Sequence, residues 1–158
     1  MQNIEAVLTG WYPGEIGGRA LFGRLAMQAE PEAAGKWRSL ARVECLVAER
    51  LAGLLESRQI PIPKIADPDS RAAKRCEAVA GKSWLETMQW LQALAAVALR
   101  EMQADAASLP AELAAVGSFV VNHEKALLAF AENELAGAGE RSQLPIEAFL
   151  DTASAKSL

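Results

Sequence analysis

The chain has 158 residues, 51% of them hydrophobic and 23% charged, which excludes a disordered polypeptide and suits one domain with a sizeable core. Its 16 Lys and Arg against 20 Asp and Glu leave a net charge of -4, so nucleic acid, which needs clustered positive charge, is not an expected partner. No stretch approaches the ~18–20 apolar residues that span a bilayer, so no membrane partner is expected either.

The opening MQNIEAVLTG lacks the basic start and apolar run of a secretory leader. Cys45 and Cys76 have neither zinc spacing nor a disulfide framework. The expectation is a cytoplasmic protein with reduced thiols, Cys45 packing as a small apolar residue.

Alanine and leucine dominate, and apolar residues recur at three and four positions, the helical period. The first long helix is expected over 13–29, after the aromatic approach GWYPGE, with Pro13 in its first turn, where a missing N–H costs nothing. Gly17 and Gly18 lower helix propensity by roughly 1 kcal/mol each relative to Ala, and are read as permitting close approach of a neighbouring helix or of Trp11. A second helix follows over 32–57. The prolines of RQIPIPKIADPDS then force an extended segment. Asp67 and Pro68 read as a cap and first-turn proline opening a short helix over 68–80. It carries the only small basic group, Arg71, Lys74 and Arg75, read as a solvated face. Gly81 closes it.

The third long helix is expected over 83–106, opened by a capping box in Ser83-Trp84-Leu85-Glu86. The fourth covers 110–136, from Pro110 to the left-handed terminator Gly137. Pro145 starts a short helix over 145–153 whose apolar side docks on the rest, and the tail SAKSL is expected to fray. Two hairpins joined by a long crossover make one all-α domain over 1–158, a four-helix bundle with short extra helices.

The inward stripes carry the functional signal. The second helix presents Trp37, Leu40, Ala41, Glu44, Val47, Ala48, Leu51, Leu54 and Leu55, with Glu44 interrupting it. The fourth presents Leu113, Val116, Val120, His123, Leu127, Phe130, Ala131 and Glu134, interrupted by His123, the only histidine. The first presents Gly18, Phe22, Leu25 and Ala29, with Glu15 on the same face. The third presents Trp84, Met88, Leu91, Leu94, Ala95, Ala98 and Met102, and no acid interrupts its middle. A lone buried charge costs several kcal/mol, so each polar interruption needs a proton, a partner or a metal. With turns near residues 31 and 109, Glu15, Glu44 and His123 lie at levels about 5 Å apart, and are expected to converge in the dry centre.

Helix count, connectivity and these residues resemble the ferritin-like superfamily of carboxylate-bridged di-iron proteins. That resemblance implies an acid on the first and third helices and Glu-x-x-His on the second and fourth. Glu15 and Glu44 match acids of the first two helices, and His123 matches the histidine of the fourth. Val47 stands where the second helix's histidine would be and Val120 where the fourth helix's acid would be. The third helix has no matching acid, since Glu86 reads as a cap and Glu101 lies towards the opposite end. Glu124, about 100° around the helix from His123, is a further candidate ligand, with Glu132 or Glu134 as replacement carboxylates.

Two functional classes follow. One is a ferritin-like protein with a partial or remodelled metal site (Glu15, Glu44, His123, Glu124) for iron, manganese or zinc, related to metal-dependent oxidases or hydroxylases. The other is a metal-free, non-catalytic protein in which a buried Glu/His network fixes the packing and an exposed face binds a partner or a second copy. Trp11, Tyr12, Trp37, Trp84 and Trp90 read as core and end packing, or alternatively as the lining of a ligand pocket. There is no Gly-rich phosphate loop and no Ser–His–Asp signature.

Overall fold

The structure, a computed structural model, describes residues 3–155. Its regular structure is helical, with no strand among the described residues. Six α-helices follow in order: α1 Ile4–Gln28, α2 Pro31–Ser57, α3 Pro68–Glu77, α4 Trp84–Ser108, α5 Ala114–Leu135 and α6 Leu144–Ala155. Short 3-10 turns occupy Ala111–Leu113 and Gly139–Arg141. Residues 156–158 of the SAKSL tail lie outside the described residues. No described helix is long and apolar enough to cross a membrane.

The chain divides into two compact units, Met1–Ala80 and Gly81–Leu158. In the first, α1 and α2 pack as a hairpin and α3 lies on α1. In the second, α4 and α5 pack as a hairpin and α6 lies on α5.

α1 begins well before Pro13, which lies inside the helix rather than in its first turn. Two causes override the proline. Asn3 caps the helix, its side chain accepting from the Glu5 backbone N–H at 3.0 Å, which satisfies an otherwise orphaned donor. Val7, Leu8 and Trp11 are all buried, and each such side chain contributes roughly 1.5–3 kcal/mol. Their sum exceeds the ~3 kcal/mol that a helical proline costs. Pro13 can offer no N–H to the Thr9 carbonyl four residues earlier.

α2 buries Trp37, Leu40, Val43, Glu44, Val47, Ala48, Leu51 and Leu55. Ala41 and Leu54, expected on that stripe, are half-buried and Val43 is fully buried, so the stripe is rotated slightly towards Val43. Trp37 stacks on Phe22 of α1 with ring centroids 5.8 Å apart. The helix ends without a glycine. Gln59 adopts a left-handed φ of 59°, the Ile60 N–H reaches the Leu55 carbonyl at 2.9 Å and the Gln59 N–H the Glu56 carbonyl at 3.0 Å. These are the two bonds of a Schellman motif. Asp67 is also left-handed at φ 43°, which aspartate tolerates better than most residues. Its side chain accepts from the Ser70 N–H, opening α3. α3 stops at Glu77, short of the expected 80, and Gly81 takes a positive φ in the turn that follows.

In the second unit the capping box forms in both directions. The Glu86 N–H donates to Ser83 Oγ, and the Ser83 N–H donates to a Glu86 carboxylate oxygen at 2.7 Å. The Ser83 backbone N–H, and after it the Ser83 side chain, stabilise the charged carboxylate and hold Glu86 below the usual carboxylate range. All eight residues expected on the fourth helix's stripe are buried. α5 itself starts at Ala114, because Pro110 is followed by a 3-10 turn rather than the first α-helical turn. Gly137 closes α5 at φ 76°, with the Ala138 N–H bonded to the Asn133 carbonyl at 2.8 Å. α6 buries Ile146, Phe149 and Ala153.

Two predictions follow from these backbone features. Pro13→Ala restores a donor for the Thr9 carbonyl and removes the ring clash, so it raises stability by about 1–3 kcal/mol in urea denaturation; an unchanged or lowered midpoint contradicts this account of α1. Gln59→Gly relieves a left-handed side-chain residue worth about 1 kcal/mol. Its melting temperature should rise by about 2–4 °C, and a fall would show that the glutamine side chain is needed there.

Candidate metal site

The first unit contributes two acids. Glu15 of α1 is 1% exposed and Glu44 of α2 is 4% exposed. A carboxylate oxygen of one lies within 4.8 Å of a carboxylate oxygen of the other. The hairpin register sets this meeting: both acids lie at similar distances from the turn at Ala29 and Glu30, on facing stripes. Two full charges at that distance repel by about 3–4 kcal/mol at an effective dielectric of about 20. The pair therefore needs positive charge close by, from a proton, a cationic side chain or a metal ion.

Gly18, one turn beyond Glu15, makes the room. A Cβ built on Gly18 would meet Glu44 Cδ at 2.7 Å, Oε2 at 2.8 Å and Oε1 at 3.0 Å. The expected approach of a neighbouring helix is thus made at Gly18 by the Glu44 carboxylate of α2, and not by Trp11, while Gly17 meets nothing within 4 Å.

In the second unit, His123 of α5 is 0% exposed. Its Nδ1 lies 2.5 Å from the Val120 carbonyl oxygen, and a carbonyl only accepts, so Nδ1 carries the proton and donates it. In the neutral ring Nε2 then holds the lone pair. A backbone carbonyl that fixes the tautomer in this way is the usual support behind a ligating histidine. Glu124 is buried, and its Oε1 lies 3.4 Å from His123 Nε2. Phe149 of α6 tilts against the imidazole with centroids 6.3 Å apart, and packs on Phe119 at 5.3 Å.

The remaining candidates have other surroundings. Glu134 is buried and accepts from Trp84 Nε1 at 2.7 Å. Glu132 and Glu101 are exposed and Glu86 is the cap already described. Val47 and Val120 are fully buried apolar residues, so the positions one turn from Glu44 and His123 supply no donor. Trp11 and Trp37 are core residues, and Tyr12, Trp84 and Trp90 are half-buried.

Neither thiol is placed for nucleophilic chemistry. Cys45 is half-exposed rather than packed in the core, with Sγ 3.5 Å from Glu49 Oε1. Cys76 is buried, and burial pushes its thiol above the usual range despite Arg24 and Arg75.

The sequence showed that Gly18 could admit a close neighbour but not that Glu44 is that neighbour, and Phe149 stood out only as one apolar residue of a short terminal helix. The chain matches no family model, no curated protein and no solved structure.

Trp84→Phe removes the indole donor that holds the buried Glu134 carboxylate. It should lower stability by about 1–3 kcal/mol in chemical denaturation; a wild-type midpoint would show that this bond is not a structural tie.

Proposed function

We propose that this is a metal-binding helical protein in which the buried carboxylates Glu15 and Glu44 of the first unit hold one divalent transition-metal ion. The observation that carries the reading is the pair of buried carboxylates within 4.8 Å of each other, which need positive charge. Carboxylate oxygens ligate iron, manganese and zinc. Two carboxylates leave positions for water or substrate, whereas Val47 offers no further donor.

The bound metal would supply Lewis acidity or, as iron or manganese, redox chemistry. The chain's own residues do the rest: Glu15 and Glu44 provide the charge, and Gly18 gives the Glu44 carboxylate room on α1. With the resemblance to ferritin-like proteins, this favours a relative of metal-dependent oxidases or hydroxylases. A second reading rests on Glu124. With its Oε1 3.4 Å from Nε2, a protonated His123 would pair with it, making a metal-free network that fixes the packing.

Metal analysis and thermal unfolding separate the two. Protein expressed with ample iron and purified without chelator should carry about one ion per chain, and adding Fe(II), Mn(II) or Zn(II) to stripped protein at 100 times Kd should stabilise it by about 2.7 kcal/mol. Glu15→Gln and Glu44→Gln should each abolish both effects. Stripped protein that takes up none of the three metals overturns the metal reading and leaves the network.

A further inference from the structure

We infer that Gly18 is a positioning residue, whose missing side chain seats the Glu44 carboxylate against α1 within reach of Glu15. For metal affinity the inference rests on the reading above; the seat itself stands on geometry alone. A Cβ at Gly18 would lie 2.7–3.0 Å from all three atoms of the carboxyl group. All three atoms belong to the free end of the Glu44 side chain, so a methyl at position 18 would push the carboxylate off the α1 surface rather than shift the helix. The other glycines of α1, at 10, 14, 17 and 23, meet nothing within 4 Å. Gly18 alone among them has its lack of a side chain used.

Both partners are buried, with Glu44 4% exposed, so a displaced carboxylate has no solvent to swing into. Glycine within a helix is otherwise a liability relative to alanine. At position 18 that liability gives Glu44 a fixed height on the face that carries Glu15 one turn earlier. Ligand spacing is thereby set by backbone contact rather than by a flexible three-torsion side chain. Support of this kind behind a ligand commonly governs affinity by 10–100-fold.

The test is a cycle of Gly18→Ala and Glu44→Ala, read by thermal unfolding of the stripped full-length protein and by Zn(II) calorimetry. In the Glu44→Ala background the seat is empty, so adding Gly18→Ala should raise the melting temperature by about 2–4 °C through helix propensity. In the wild-type background the same change should lower it. Zn(II) affinity of Gly18→Ala should fall about tenfold or more. Should Gly18→Ala alone fail to fold while the double variant folds, the seat is supported in the same sense. Gly18→Ala that stabilises both backgrounds equally, or that binds Zn(II) like wild type, overturns the proposal. If the wild-type protein takes up no Zn(II), the metal reading fails separately, and the reversal of sign between backgrounds still decides the seat.

Discussion

Two carboxylates buried within 4.8 Å of each other in one helical hairpin are the constraint on which the rest of the site depends. Their mutual repulsion is comparable to the cost of deleting a core leucine, and a protein of this size has only 5–15 kcal/mol of net stability. A chain that keeps both acids in its interior needs positive charge beside them. The features around the pair fit that need: a helix surface bared at Gly18 so that one carboxylate can lie flat on it, and apolar neighbours that keep water out. The need is for positive charge, from a proton, a cationic side chain or a metal ion.

The donors sit on long helices rather than loops, which suits a site meant to hold its shape. Glu15 and Glu44 are fixed by the register of α1 against α2, and that register is held by the Phe22–Trp37 stack and the short connection at Ala29 and Glu30. His123 is fixed by the α4–α5 hairpin and by Phe149 of α6. Each of these side chains is thus backed by apolar packing, and displacing one by about 1 Å would disturb a close-packed interior.

Much of this was legible in the sequence because helical periodicity is strong where one face is buried. The stripe of α5 was read without error, and the polar interruptions Glu44 and His123 stood out because they broke an apolar run. The two hairpins followed from Pro31 and Pro110, and the ends of α4 and α5 from the Ser83–Glu86 box and Gly137. The failures have physical causes. Pro13 signalled a helix start, but the burial of Val7, Leu8 and Trp11 outweighed it, and burial is a tertiary quantity. Gly18 could be read as making room for a neighbouring helix, but not which residue uses that room, since Glu44 lies on another helix. Cys45 looked apolar by composition, yet Glu49 one turn later draws its thiol to a half-exposed position.

The central claim is read most directly from the two acids of the first hairpin. Zn(II) calorimetry of the stripped protein should show about one site per chain, which Glu15→Gln and Glu44→Gln each abolish. A stripped protein that takes up no metal ion, or variants that bind it like wild type, would contradict the claim that the buried acids share a cation.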